Sequence, residues 1–423
     1  MRELETRYDS ELVVIGVQSG KYHAERVTSR IRDASIRLGA AHPTVNDRQF
    51  RIWRSYAVSA WPTLVAIDAA GYVVGSHAGE FTSEMLVPFI DGLISKGRAG
   101  GTLIEGVFRP PTDEPTIKSG ELRYPGKVAI SGDRIAIADS GNHRVVVGRL
   151  GADGTSIRIE KSIGGGSSGF EDGADARFNS PQGMAFGDNV LYVADADNHA
   201  IRVIDLITWQ VSTLAGTGYQ MRTRADQKAG AMSSPWDVTL SGETLYVAMA
   251  GIHQIWSVSA TTGEVRVHAG TGGEDLRDGD LASSLLAQPM GITLDNGRLY
   301  FADSESSAIR WADTTPGGSV GTIVGTGLFD FGDVDAAGDV VRLQHVQGVT
   351  MHPSGRLLIA DSYNDSLKWV EPASRKAVTW VRGFHEPGGV CCGPTHAYVA
   401  DTNAHRIAAV SFDTGEISDL RIE

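Results

Sequence analysis

One skeleton recurs through most of the chain, and it is seen most fully as Ser180-Pro-Gln-Gly-Met-Ala-Phe186, a short turn, and Leu191-Tyr-Val-Ala-Asp-Ala-Asp-Asn-His-Ala-Ile201. A Pro followed fourteen residues later by the Asp of a Val-Ala-Asp-like end begins at Pro125, Pro181, Pro235, Pro289 and Pro387, with Val346 standing in once. The Asp position is held by Asp139, Asp195, Met249, Asp303, Asp361 and Asp401, which gives six copies at steps of 56, 54, 54, 58 and 40 residues. A period of this length belongs to supersecondary units that stack in line or array in a ring.

Within the second copy, residues 183–186, 190–194, 200–206 and 211–215 are short runs of β-branched and aliphatic residues, separated by Gly, Asn, Asp and Thr clusters. Four such runs predict one antiparallel meander. A lone meander leaves both faces short of a partner, whereas six in a ring cover every face, so a six-bladed β-propeller is expected. A linear stack needs polar capping repeats at both ends, yet the copies around Asp139 and Asp401 are as regular as the middle ones. Gly183, Gly291, Gly348 and Gly389 are expected to permit a turn into the innermost strand, where backbones crowd round the axis. The recurring Asp and the pairs Asn142-His143 and Asn198-His199 fall in the turn between second and third strands. Their side chains can bond free backbone groups there.

The segments Ala138-Asp-Ser-Gly-Asn-His-Arg-Val145 and Ala194-Asp-Ala-Asp-Asn-His-Ala-Ile201 resemble the NHL repeat, and the resemblance covers residues 121–423. Copies three to five depart from it with Ile252-His253, Ser306-Ser307 and Asn364-Asp365, and the sixth shifts to Ala404-His405.

The first hundred residues have a different pattern. After a helix end at residues 1–8, the run Leu12-Val-Val-Ile-Gly-Val17 reads as a strand buried on both faces. Val27, Ile31, Ala34 and Leu38 follow at helical spacing, predicting a helix with one face on the sheet. Phe50, Trp53 and Ala57 suggest a short helix, residues 63–67 and 72–76 a hairpin, and residues 82–96 a last helix with Leu86, Phe89, Ile90, Leu93 and Ile94 inward. In this α/β order, Trp61-Pro62-Thr63 opening a hairpin strand resembles the cis-proline loop of thioredoxin-like proteins. The resemblance implies that Pro62 is cis and faces a redox site. It also requires a Cys-x-x-Cys before the helix ending near Tyr8, and this chain has no Cys before Cys391. The dithiol is therefore either encoded upstream of Met1 or lost.

The expected class is multidomain α/β plus all-β: a partial thioredoxin-like domain at residues 1–96, a linker at 97–120 around Arg109-Pro-Pro111, and a six-bladed propeller at 121–423. Residues 103–108 are the one apolar stretch of the linker able to add a strand to the propeller. The combination resembles the thioredoxin-like NHL-repeat-containing proteins, some of whose bacterial members are classed as redoxin or alkyl-hydroperoxide-reductase-like. For a complete member that implies thiol–disulfide exchange, with a thiolate attacking a substrate disulfide or peroxide beside the Pro62 loop.

Composition narrows the partners. The net charge is −13; residues 1–100 hold 12 basic and 11 acidic side chains, so the remainder carries −14. An acidic propeller is a poor nucleic-acid partner. No run of eighteen apolar residues exists and no secretory leader is visible, so no membrane association is expected. Cys391 and Cys392 are the only cysteines, which fits a reducing cytoplasm. Both fall in the innermost strand of the sixth blade, one on each face, as buried apolar residues.

His143, His199, His253 and His405 recur one per blade, which spreads them too widely for a metal site. At the axial end of the inner strands stand Gln182, Trp236, Met290, Gln347 and Gly388. That set holds no catalytic carboxylates and suits contact, with Trp236 and Met290 as apolar contacts at the channel mouth. The long loops at 164–179, 216–233, 270–286 and 325–345 are candidate recognition loops. Asp172-Gly173 and Asp278-Gly279 within them are read as turns ahead of calcium ligands. His42-Pro43 and Asn46-Asp47 either line the redox pocket or cap a helix. The reading that results is a monomeric scaffold that binds a protein partner through the propeller, without cofactor or metal. A purely non-catalytic module is the alternative, and a hydrolase or lyase at the propeller axis is the weakest.

Overall fold

Each of the six copies folds into one antiparallel meander whose strands run from the axis outward. In blade 2 these are Pro181–Phe186, Val190–Asp195, Ala200–Asp205 and Val211–Gly216, and in blade 1 Val128–Ser131, Arg134–Asp139, Arg144–Leu150 and Ser156–Gly164. The innermost strands of blades 3 to 6 are Pro235–Ser241, Pro289–Asp295, Gly348–Met351 and Pro387–Cys392. The protein is described by a computed structural model over residues 1–40, 42–79, 81–107 and 122–423. The chain divides into two compact units, Met1–Thr116 and Ile117–Glu423.

Alternation along the strands builds the core. In blade 2, Leu191 and Val193 pack toward blade 1 with Ala136, Val145 and Phe178, while Tyr192 and Ala194 pack toward blade 3 with Val238, Leu245 and Val247. Neighbouring residues of a strand point to opposite faces, so one strand feeds two inter-blade cores. Six such cores follow one another round the ring. The sixth joins Cys391, Tyr398 and Ile407 of blade 6 to Ile135, Ile137 and Ile157 of blade 1.

A closed propeller rather than a linear stack is therefore formed. The last strand, Arg421–Ile422, leaves blade 6 and runs parallel to the outer strand of blade 1; the Tyr398 hydroxyl donates to the Gly154 carbonyl at 3.0 Å. Copy five is one residue longer between Val346 and Asp361 than the others because its first hairpin turns through His352-Pro-Ser-Gly355, closed by Gly355 N–H to His352 O at 2.9 Å.

The first unit contains α1 (Arg2–Arg7), β1 (Gly16–Gln18), α2 (Thr28–Arg37), β2 (Thr44–Asn46), α3 (Arg51–Ser55), β3 (Thr63–Ile67), β4 (Val73–Ala78) and α4 (Ser83–Ala99). β1 pairs in parallel with β2, and β3 with β4 in an antiparallel hairpin; the two pairs are separate sheets. Its small core joins Leu4 and Tyr8 of the α1 region to Leu86, Ile90 and Ile94 of α4.

Three sequence expectations fail in this unit. The run at 12–17 is not buried on both faces: Val13, Ile15 and Val17 are exposed and alternate with partly buried Leu12 and Val14, so among the described residues only one face is covered. The helix at 28–37 likewise buries only Ile31, with Val27 and Leu38 exposed, because no sheet face lies under its full stripe. In α4, Phe89 is exposed rather than inward and lies against Gly75 of the hairpin. Leu103 packs into the core of the first unit, so residues 103–107 add no strand to the propeller. Phe108 and the Arg109-Pro-Pro111 run lie outside the described residues.

Candidate functional site

The residues that recur most visibly hold each blade to its own entry segment and to the next blade. At the end of the second strand in every blade but the third, the Asp turns its Oδ1 to the backbone N–H of the segment entering the same blade: Arg123 to Asp139 (2.6 Å), Asn179 to Asp195 (2.7 Å), Ala287 to Asp303 (2.8 Å), Gln344 to Asp361 (2.7 Å) and His385 to Asp401 (2.6 Å). The other oxygen meets a cation. Arg202 reaches Asp195 at 2.9 Å and Arg310 reaches Asp303 at 2.8 Å, with all four side chains wholly buried. Lys368 stands 3.7 Å from Asp361, and blades 1 and 6 use Arg144 and Arg406. Burial pushes the Asp195 carboxyl up to about 6 and that of Asp361 up to about 7, against the pull of these cations and N–H donors.

The residue four places on adopts left-handed backbone in every blade, with φ between 49° and 56° at His143, His199, His253, Ser307, Asp365 and His405. His and Asp are among the side chains that tolerate this region better than most. From there the side chain accepts a hydrogen bond from the next blade. Nδ1 of His143 takes Ser180 N–H (3.2 Å), His199 takes Ser234 (3.0 Å), His253 takes Gln288 (3.1 Å), and His405 closes the ring on Tyr124 (3.1 Å). Ser307 and Asp365 do the same for His345 and Glu386. Hydroxyls add a second tie, from Ser140 to the Pro181 carbonyl, Ser304 to Val346, Ser362 to Pro387 and Thr402 to Pro125. The sequence reading placed these side chains within their own turn. The structure corrects that for the histidines, which bridge to the next blade, while the Asp and Asn side chains bind within their own blade.

An Nδ1 that accepts must be unprotonated, and burial lowers the pKa of His143 and His199 below the ordinary value. Such a group stabilises the fold above pH ~6.5 and that contribution is lost as pH falls through the folded value. We expect wild type to lose about 1 kcal/mol between pH 7 and pH 5 relative to His199→Asn, whose amide oxygen accepts at both pH values. Urea midpoints of the two proteins across that range check it, and parallel curves would contradict it.

The axis is closed by the chain itself. One position beyond Gln182, Trp236, Met290 and Gln347, the inner strands carry Lys127, Gly183, Asp237, Gly291, Gly348 and Gly389. Lys127 crosses the ring, donating to the Gln347 carbonyl and standing 3.5 Å from Asp237. Asp237 also accepts Ile292 N–H at 3.2 Å. A Cβ on Gly183 would strike Asp237, and one on Gly389 would strike the Lys127 chain. These glycines do not turn the chain, since none has positive φ; they leave room for the pair. Burial lowers the Lys127 pKa and raises that of Asp237, with mutual attraction opposing both shifts.

Around this pin the Gln182 amide lies over Gly126, the Gln347 amide approaches Gly388, Met290 is buried and Trp236 is half-buried. The sequence reading missed Lys127 and Asp237. The signal was two charges at a repeat position otherwise filled by glycine.

The long loops also carry Asp side chains that bind within the propeller. Asp172 binds Arg202 (2.7 Å) and the backbone and hydroxyl of Thr213; Asp278 binds Arg310 (2.9 Å) and Thr322 in the same way, and Asp335 binds Lys368 (2.9 Å) and Thr379. The loops thus strap the outer edges of blades 2, 4 and 5. Among the described residues no cluster of His, Cys, Asp or Glu is arranged to hold a metal.

In the first unit the Trp61–Pro62 peptide is cis. Trp61 packs on Trp53 with ring centroids 4.5 Å apart and donates its indole N–H to the Ser19 carbonyl at 2.8 Å. Thr63 donates to the Ala60 carbonyl at 2.7 Å. Asp47 caps α3, taking the N–H groups of Arg51 (2.7 Å) and Trp53 (2.9 Å) together with the Ser19 hydroxyl (2.9 Å). Burial would raise its pKa, but these donors hold it below the ordinary value. His42 pairs with Glu5 at 3.2 Å. The two thiols lie in the propeller, on opposite faces of one strand and in different inter-blade cores. Burial pushes Cys392 up to about 12 and Cys391 well above its ordinary value.

The family model of the NHL repeat matches residues 122–147 and 178–204, which span the first two strands and most of the third in blades 1 and 2. NHL repeat-containing protein 2 of Gallus gallus is 36% identical over 481 residues, covering 100% of this chain and 65% of that protein. Protein SUPPRESSOR OF QUENCHING 1, chloroplastic, of Arabidopsis thaliana is 35% identical over 456 residues, covering 99% of this chain and 43% of that protein. The chain thus spans about two thirds or less of these relatives. Protein DipZ of Mycobacterium bovis is 29% identical over 92 residues, 22% of this chain. No helix among the described residues is long and apolar enough to cross a membrane.

Proposed function

We propose that this NHL-repeat protein, homologous to NHL repeat-containing protein 2, is a scaffold that binds a protein partner on the long-loop face of its propeller. The observation that carries the reading is the use already made of every recurring polar residue. The Asp, Arg and His positions join blades or strap loops, and Lys127 with Asp237 fills the axis. This leaves the exposed loop tips for recognition. Tyr219 and Phe329 are 79% and 69% exposed, and aromatics of this kind anchor protein interfaces. Trp236, beside the pin, extends the same face toward the axis.

The first unit we read as thioredoxin-like, supported by its element order and by Trp61-Pro62-Thr63. Thiol exchange by this chain has no support, since its only thiols are Cys391 and Cys392. The scaffold reading is tested by affinity capture with the full chain as bait. The triple variant Tyr219→Ala/Phe329→Ala/Trp236→Ala should lose at least about tenfold in affinity for the captured protein. Ile207→Ala, 70% exposed on the short-turn face, should lose nothing. Equal loss in both, or no specific capture by wild type, would overturn the reading.

A further inference from the structure

The outer edges of the blades are treated unequally. Blade 1 is capped by Arg421–Ile422, blade 4 by Gly279–Asp280 and blade 5 by Ala336–Ala337. On blade 2, Gly173 and Val211 exchange backbone hydrogen bonds in both directions, at 2.8 and 3.1 Å. Blade 3 differs at each point. The residues that would supply its cap wind into α5 (Arg224–Lys228) instead. The position of Thr213, opposite Arg202, is taken by Val267, opposite Trp256. Met249 stands where the other blades have their Asp, so the ionic lock that ties a cap down is replaced by apolar contact between Met249 and Trp256.

By the register shared with Val211 and Thr213, Val265 and Val267 turn their backbone N–H and C=O groups outward. Among the described residues no segment pairs with them. Val267 is 44% exposed. Blade 6 offers no comparable edge, since its outer strand Ile417–Asp419 has three residues before the chain crosses to blade 1.

Charge is reversed at the same place. Loops 164–179, 270–286 and 325–345 carry three, four and four acidic residues against one Arg each. Loop 216–233 carries Arg222, Arg224 and Lys228 against Asp226 alone, and Asp226 is held by the N–H groups of Arg222 and Thr223. The three cations are exposed. Met221, next to them, packs in the same apolar cluster as Trp256 and Val265, which ties this loop to the uncapped edge.

We propose that the outer strand of blade 3, Val265–Ala269, is a docking edge for an extended acidic segment of a partner protein, which adds a fifth strand there as the chain's own Asp-Gly segments do on blades 2 and 4. Backbone pairing along an open edge supplies affinity, and the Arg222, Arg224 and Lys228 side chains select for negative charge. The inference rests on the scaffold reading and names its partner's chemistry.

The test is a fluorescence polarisation titration of the full chain with a labelled peptide of alternating Asp and Val, against a Lys/Val peptide of equal length. Val267→Pro removes the outward N–H at a position where an edge strand accommodates proline; Val267→Glu places a charge on the edge that repels an acidic strand. The Asp/Val peptide should bind wild type, the Lys/Val peptide should not, and either Val267 variant or the triple Arg222→Glu/Arg224→Glu/Lys228→Glu should weaken binding by about tenfold or more. A thermal melt shows which Val267 variant is folded and is used. No binding to wild type, or equal binding by the folded variant, would overturn the proposal. A partner captured as above and still bound by the Val267 variant leaves the scaffold reading standing while the edge inference fails.

Discussion

Arg310→Trp is expected to destabilise the propeller by about 3–5 kcal/mol, because it strips the wholly buried Asp303 carboxylate of its cation. The guanidinium also ties the 270–286 loop to its blade through Asp278 and the carbonyls of Leu285 and Arg277, so its loss loosens the strap as well. The sequence supplies the compensating change. Blade 3 has Met249 and Trp256 where blade 4 has Asp303 and Arg310, and both are buried. The double variant Asp303→Met/Arg310→Trp should therefore recover about 2 kcal/mol of the loss, a coupling of the size found between neighbouring residues. Urea unfolding of wild type, both single variants and the double variant measures it. If the double variant costs the sum of the singles, the ionic and apolar locks are not interchangeable.

The second large effect lies on the axis. Lys127→Met should cost about 3–5 kcal/mol at pH 7 by leaving Asp237 buried beside glycines, with only the N–H groups of Val238 and Ile292 as partners. The cost should depend on pH. Burial raises the Asp237 pKa, and without Lys127 nothing charged opposes that shift. A carboxyl whose folded pKa is raised is stable below its unfolded value and loses that stability as pH rises through the folded value. The deficit of the variant should therefore shrink on acidification toward pH 4 and grow toward neutrality. A deficit independent of pH would mean that the lysine stem packs but its charge is idle. Lys127→Met/Asp237→Leu, with neither charge present, should be more stable than Lys127→Met alone at pH 7.

The propeller was legible in the sequence because its unit repeats: Pro, the Val-Ala-Asp end and the residues after it recur at fixed offsets, and each offset is one strand or turn. The direction of the bonds was not legible. His143 and His405 bind backbone in the next blade, at Ser180 and Tyr124, and a repeat pattern shows spacing within a unit but not which neighbour its side chains reach. The axial pair lay in plain view, as charges at positions 127 and 237 where other copies have glycine, but glycines that make room look the same in sequence as glycines that turn. The first unit was read least well. The run at 12–17 is apolar throughout, yet burial there alternates, and composition alone cannot tell a strand covered on one face from one covered on both.

Hydrogen exchange at the joint between blades 6 and 1 tests the closed ring most directly. The Tyr124 amide donates to His405, while along the C-terminal strand Ile159 N–H donates to the Glu423 carbonyl and Glu423 N–H to the Ile157 carbonyl. In a closed propeller the Tyr124 amide should be protected to the same degree as Ser180 and Ser234, which sit at interior joints. Exchange at Tyr124 at the rate of a fraying end, while Ser180 and Ser234 stay protected, would mean that the six meanders stack in a line with two free ends.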